Sequence, residues 1–472
     1  MQTNVILGGG FTGLFSALVL SEKFNLKDIV VIEASPYVGG AYRGIKFDEN
    51  QYFDYGPHLY YESSNVEVNE LVLSVLKNED WKFLEKNDKD IPGIFYQNNL
   101  QEYSHYIDLR KEKKYKNCLS DLFINFDKKN NNDGLSANEY FKNKFGKYIT
   151  NKVLKKVLLK LWGKDLKELD PFIAKIVSMD RIIAFDEDFM LDLMNSEVIR
   201  NNLAYPDQFN FPSSKRTLSQ RGLYPQKYGF FHVIDALEKK LLSKGVKIYT
   251  SSDIQSLNIQ NNRIESIDLM EKDTQKQISI KNINHIHSTI EFSHINNYLG
   301  LKNIHVQDMD IPKQVVYLFL KLKNKPNMGK LYYFYVYDDN YHTFRVTSYI
   351  NYCENAYMNE EYPLCMEIHF DNQYDVSNMN FVNLGINELL KMKVISSKED
   401  ITYSNYQYSK YGFPQFTLNN KKIISANRNR INNEKISNLT LGGIGLDKDL
   451  FFLHDVLDDS FIKLNERFSN EK

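Results

Sequence analysis

Six residues near the start carry the first chemical signal: Gly8-Gly9-Gly10-Phe11-Thr12-Gly13, a G-x-G-x-x-G pattern. The pattern is weak by itself and gains meaning from its setting. Here the apolar run Asn4 to Leu7 precedes it, and Thr12 to Phe24 follows with Leu14, Ala17, Leu18 and Val19 on an inward face, so the sequence predicts strand, turn and helix. In that setting Gly8 permits the tight turn, Gly10 lets the backbone approach a pyrophosphate, and Gly13 lets the helix pack closely on the strand. The start of the helix, at Phe11 and Thr12, offers N–H groups and a partial positive charge to phosphate oxygens. Glu33 stands twenty residues beyond Gly13, at the end of a second apolar run, Ile29 to Ile32. A carboxylate there accepts hydrogen bonds from a ribose and repels the 2′-phosphate of NADP. The chemistry indicated is the binding of a dinucleotide.

The next loop narrows that choice. Glu33 is followed by Ala34-Ser35-Pro36-Tyr37-Val38-Gly39-Gly40-Ala41-Tyr42-Arg43, which resembles the E-x(6)-G-G-x-x-R pattern of the flavoprotein superfamily containing amine oxidases, protoporphyrinogen oxidases and UDP-galactopyranose mutases. The resemblance implies FAD as cofactor. It places Ala34 beside Glu33 at the ribose, Gly40 close to the cofactor, and Arg43 at the pyrophosphate or the flavin edge.

Further segments extend the resemblance. Asp54-Tyr55-Gly56-Pro57-His58 is similar to the D-x-G-P-H segment of the mutases, which implies that Gly56, Pro57 and His58 lie beside the flavin ring. Lys160-Leu161-Trp162-Gly163, followed by Glu168-Leu169, is similar to their K-x-W-G-x-x-x-x-E-L segment, which implies a substrate-lining role for Trp162. Main-chain groups of Ile254 correspond to the adenine-reading position. Leu441-Gly442-Gly443-Ile444-Gly445 precedes a helix, and Gly442 and Gly445 match glycines at the flavin pyrimidine. Thr343-Phe344-Arg345 resembles the segment with the first of two diphosphate-binding arginines, so Arg345 is the candidate clamp. The second arginine position holds Gly443, with Lys448 nearby and the family's paired tyrosines absent. The resemblance implies first a mutase-like reaction on a nucleotide-linked sugar, with the substrate beside flavin N5; the alternative is an oxidoreductase of the amine oxidase or protoporphyrinogen oxidase type taking a hydride from a small molecule. A non-catalytic flavin-binding protein is a third.

These residues need a scaffold. Strand-like runs at 4–7, 29–32, 246–250, 285–290 and 439–441 imply an α/β fold, a Rossmann-like FAD-binding domain assembled from discontinuous segments (1–65, 225–300 and 436–472). Residues 66–224 read as a helix-rich insertion, and 301–435 as a mostly antiparallel β substrate domain. Tyr403, Tyr406, Tyr408 and Tyr411 form a dense cluster of unassigned structure. The 472 residues suffice for more than one core. With 59 Lys+Arg against 60 Asp+Glu the net charge is −1, which gives no attraction to nucleic acid. Three cysteines without a CxxC pair argue against a disulfide framework or a metal site and for a reducing, cytoplasmic setting. The apolar run from Val5 to Leu20 is broken by glycines and has no basic residues before it, so it reads neither as a secretory signal nor as a membrane span.

Overall fold

The computed structural model describes residues 2–48, 51–85, 88–125, 134–212, 221–444 and 450–469. The chain divides into two compact units, one formed by residues 1–83, 220–309 and 422–472, the other by 84–219 and 310–421.

The first unit contains a five-stranded sheet in the order Lys247–Tyr249, β2 (Ile29–Ile32), β1 (Thr3–Leu7), Ile283–Ser288, Leu439–Leu441, with every neighbouring pair parallel. Residues 4–7 of β1 and all of β2 are buried. Parallel strands covered on both faces read as continuous apolar runs, which is why these two were visible in the sequence. Helix α1 (Phe11–Glu22) is buried almost all round, because the helices Phe231–Ser243 and Leu453–Ser469 also pack on it. In chain order β1 is followed by β2 on one side, and the later strand 283–288 joins on the other. Such a reversal opens a crevice at the carboxyl ends of the strands, where ligands of open α/β sheets bind.

A three-stranded antiparallel sheet, Ser252–Gln260, Arg263–Glu271 and Lys276–Lys281, belongs to the same unit. Asn261 and Asn262 both take positive φ (50° and 56°), the two-residue turn that asparagine tolerates best after glycine. The fully buried Asn438 ties this hairpin to the parallel sheet. Its Oδ1 accepts from the Ile264 N–H at 3.0 Å, and its Nδ2 donates to the Ile264 carbonyl at 2.9 Å.

The second unit is built on a seven-stranded sheet in the order Ile401–Phe413, Lys313–Leu322, Tyr362–Phe370, Thr343–Ser348, Tyr333–Val336, Gly93–Tyr96, Asn99–Gln101. Its pairs are antiparallel except 333–336 with 93–96. Alternation sets its two faces apart. Val316, Leu318, Leu320, Val346, Leu364, Met366 and Ile368 form one core with Leu389 of the helix Phe381–Lys391. Tyr333, Tyr335, Arg345 and Glu367 are gathered away from that core. The tyrosine cluster at 403–411 resolves into the 13-residue edge strand 401–413, in which Tyr406, Tyr408 and Tyr411 are exposed. Its sequence lacks an apolar face, so no period-2 hydrophobic signal marked it. The helix-rich stretch includes Ala137–Phe145 and Lys155–Trp162.

Replacing Asn438 by Ala orphans the buried N–H and carbonyl of Ile264. The expected loss is about 3 kcal/mol of unfolding free energy, read from the urea midpoint, and an unchanged midpoint would refute the anchoring role.

Candidate functional site

The glycine turn shows which of its residues the protein itself requires. Gly8 has φ +99°, outside the range of ordinary side chains. A Cβ on Gly13 would lie 1.8 Å from the Gly8 carbonyl oxygen, so α1 sits directly on the end of β1. Gly10 is different. Its φ is −64°, which any residue adopts, and a Cβ there would meet nothing within 4 Å. The open space lies at the start of α1, where no side chain caps the helix and the first turn holds no acid. The first N–H groups of a helix lack internal partners, so those of Phe11, Thr12 and Gly13 are disposed to hold an anion.

Around this turn the predicted residues converge. Glu33 Oε2 accepts from the Gly9 N–H at 2.7 Å and Oε1 from the Ser35 N–H at 2.8 Å. Each carboxylate oxygen has a second lone pair available for a hydroxyl donor. The Gly39 N–H donates to the Gly9 carbonyl at 2.7 Å, and a Cβ on Gly40 would lie 3.5 Å from Gly10 Cα. The Ala34 carbonyl accepts from Lys272 Nζ at 2.9 Å. Ile254 stands in the strand 252–260, whose Ser252 N–H donates to the Glu33 carbonyl at 3.0 Å. Arg43 is turned inward: its Nε donates to the Val38 carbonyl at 2.8 Å, and its guanidinium meets Asp235 at 2.6 Å and Glu238 at 3.4 Å. It therefore fastens the Gly39–Gly40 loop to the helix 231–243.

His58 joins an aromatic cluster. Its ring stacks on Tyr42 at 4.7 Å, and Tyr42 meets Phe230 at 5.1 Å and Phe11 at 5.5 Å. Gly56 and Pro57 form the turn before it, with the Gly56 N–H on the Asp54 carbonyl at 3.0 Å. Asp54 is the residue whose importance the sequence reading missed. Its carboxylate is fully buried, accepts from the hydroxyls of Tyr52 and Tyr224, and lies 3.1 Å from the Phe230 N–H, just before the helix 231–243. Burial pushes its pKa up to about 6, against the pull of those hydrogen bonds. Tyr52 stands two residues before Asp54, but Tyr224 and Phe230 come from far along the chain, so the acid's full set of partners leaves no local spacing to read. Thr289 was missed as well; its hydroxyl donates to the Leu7 carbonyl at 2.9 Å, beside Gly8. Its signal was the position just after a strand of the parallel sheet. A Cβ on Gly442 would fall 2.6 Å from His287 Nε2, so this glycine meets a packing need. Gly445 and Lys448 lie outside the described residues.

Trp162 and Arg345 belong to the other unit. Trp162 is fully buried, with its ring against Phe413 at 5.6 Å and Phe416 at 5.7 Å. Arg345 is committed: Nε and one terminal nitrogen grip the two oxygens of Glu367 at 2.6 and 2.9 Å, over the rings of Tyr333, Tyr335 and Phe344. Among the described residues no cluster of three or more His, Cys, Asp or Glu is arranged for a metal ion. None of the described helices is long and apolar enough to cross a membrane. Cys118, Cys353 and Cys365 are all buried and carry thiols, not disulfides.

With this geometry in view, comparison with known proteins is informative. The family model of the NAD(P)-binding Rossmann-like domain matches residues 6–73. By sequence, no curated protein matches the chain. Among solved structures, reduced UDP-galactopyranose mutase superposes with a TM-score of 0.72 at 15% identity, over 99% of this chain and 96% of the other. An oxidoreductase from Methanosarcina mazei superposes at 0.61 and 13% identity, over 98% of this chain and 100% of the other. Cyclohexylamine oxidase from Brevibacterium oxydans IH-35A superposes at 0.58 and 12% identity, over 98% and 99%. At these identities the likeness establishes the fold. This chain has the architecture shared by those structures, with a Rossmann-like domain at its start.

Two predictions follow from the turn and from Asp54. Gly10→Ala is expected to fold with an unchanged melting temperature yet lose most dinucleotide affinity, whereas Gly13→Ala lowers the melting temperature itself; equal behaviour of the two variants would sink the distinction. The raised pKa of Asp54 means that the folded state holds its proton more tightly than the unfolded chain, so its contribution to stability is present in acid and lost as pH rises from the ordinary 3.8 through about 6. The stability advantage of the wild-type chain over Asp54→Asn should therefore shrink by about 3 kcal/mol between about pH 4 and pH 7; a gap independent of pH in denaturant titrations counts against it.

Proposed function

We propose that this chain is an FAD-dependent oxidoreductase acting on a small molecule. The observation that carries the cofactor reading is the open space at Gly10 before an uncapped helix. No requirement of the fold excludes a side chain there, and the uncapped N–H groups favour a phosphate anion. In this reading Gly8, Gly10, Phe11, Thr12 and Gly13 hold the pyrophosphate, Glu33 and Ala34 the ribose, and the main chain of Ile254 the adenine. Gly40 lines the cofactor, with Arg43 securing its loop, and Gly56, Pro57 and His58 stand by the flavin. Gly442 and Gly445 belong to its pyrimidine end. The loop pattern from Glu33 to Arg43 supports FAD over NAD. Bound FAD supplies a two-electron redox centre.

Redox chemistry is favoured over the rearrangement of a nucleotide-linked sugar by the state of Arg345. A diphosphate clamp needs a guanidinium with its fork and charge available. Here Glu367 occupies both, and the pair is largely buried, with side-chain exposures of 18% and 4%. Exchanging the carboxylate for a diphosphate would leave Glu367 as an uncompensated buried charge, which is strongly unfavourable. Trp162, packed among phenylalanines, likewise presents no surface to a sugar.

The test is made on the purified, FAD-loaded protein. Anaerobic mixing with a panel of amines and alcohols should bleach the flavin absorbance with at least one of them, and UDP and dTDP should not bind. Binding of UDP that is lost in Arg345→Ala, together with sugar turnover needing only catalytic dithionite, would establish the mutase chemistry instead. A protein that takes up FAD but answers to neither panel would be a flavin-binding protein without catalysis.

A further inference from the structure

A cavity lies wholly within the unit formed by residues 84–219 and 310–421. It has a volume of about 220 Å³ and is lined by Lys160, Lys313, His369, Asp371, Phe344 and Tyr374, among others. A cavity of about 150 Å³ accommodates benzene, so this one has room for a single aromatic ring with a small substituent.

The polar lining is not self-contained. His369 is 7% exposed, and neither ring nitrogen has a hydrogen-bond partner. Its ring is stacked on Phe344 at 4.2 Å with an interplanar angle of 7°, and lies 5.0 Å from Phe413. Burial, with Lys313, Lys160 and Arg345 nearby, holds its pKa well below the usual imidazole range, so the ring is neutral and carries one N–H. A buried polar group left without a partner costs about 1–3 kcal/mol, and a ligand that engaged it would recover that cost.

The lysines supply charge. Lys160 Nζ donates to the carbonyls of Val336, at 2.6 Å, and Thr343. Lys313 Nζ meets Asp371 at 3.0 Å and donates to the Leu161 carbonyl at 3.1 Å. An ammonium has three donors; Lys313 spends its third on the Lys160 carbonyl at 3.5 Å, so Lys160 alone keeps one. The other acids near Lys160 are spoken for. Glu388 accepts from the N–H groups of His342 and Thr343 at 2.8 and 2.9 Å, Asp338 from those of Gln97 and Asn98 at 2.8 and 2.7 Å, and Asp339 pairs with Lys156 at 3.2 Å. Burial, and then Lys313, push the Lys160 pKa down to about 7, so its charge is only partly present at neutral pH and a bound carboxylate would draw the proton onto it.

We infer that this cavity binds a small aromatic monocarboxylate of about benzoate size, its carboxylate taken by the remaining donor of Lys160 and by the His369 N–H, its ring set against Phe344 and Tyr374. Neither the flavin nor the redox reading enters the argument, and a failure of either leaves it standing.

Calorimetric titration of the full-length protein, whether or not it holds FAD, tests it, with benzoate as probe and benzamide as the uncharged isostere. Benzoate should bind one to one, and benzamide at least about tenfold more weakly, as expected for charge-assisted bonds. Lys160→Met, which keeps the side chain's bulk, should weaken benzoate by a similar factor and leave benzamide unchanged. Tyr374→Trp, at the wall of the cavity, should abolish both. The inference is overturned if benzoate does not bind, or binds no better than benzamide. It is also overturned if either variant retains wild-type affinity. Should Lys160→Met fail to fold, the comparison of the two probes on the unmodified protein decides by itself.

Discussion

The contact of Gly13 with the Gly8 carbonyl is the constraint on which the first unit depends. With no atom between them, α1 is pressed against the end of β1, and the free N–H groups at the start of the helix are aimed at one spot. Everything that converges there is arranged around that spot: Glu33 braces the turn through the Gly9 N–H, the Gly39 N–H closes on the Gly9 carbonyl, and Arg43 fixes the loop that carries Gly39 and Gly40. Gly10 alone is left facing open space. A site is thus made by close packing on one side and by its deliberate absence on the other.

Asp54 performs a related task by electrostatics. Burying a carboxylate in the charged form is unfavourable unless hydrogen bonds repay it. Its bonds come from Tyr52, Tyr224 and the backbone of Phe230, so the segment carrying Gly56, Pro57 and His58 is held to the helix that also anchors Arg43. The Tyr42–His58 stack follows from both attachments.

In the second unit a buried ion pair again settles what a residue does. Arg345 has the type and position of an anion clamp, yet Glu367 on the neighbouring strand consumes its donors. Lys160 carries no such partner carboxylate within hydrogen-bonding reach and keeps a donor, although burial pushes its pKa down to about 7. Guanidinium and ammonium groups are therefore judged by what is already bound to them, and sequence spacing is silent on that point.

Much of the architecture was legible in the chain itself. Buried parallel strands are uninterrupted apolar runs, glycines mark the turn, and Glu33 sits at a fixed distance along the sequence, because all of these are set by local backbone geometry. The edge strand 401–413 was not legible, since its large residues change parity from Ile401 and Tyr403 to Tyr406 and Tyr408 and polar residues fill the rest. The tertiary structure decided the roles of individual charges: Arg43 turned to Asp235 and Glu238, Arg345 to Glu367, Trp162 into a phenylalanine core, and Asp54 between two tyrosines far apart in the chain. The physical reason is that a charge is defined by the partners and burial around it, and those partners are brought together only by folding.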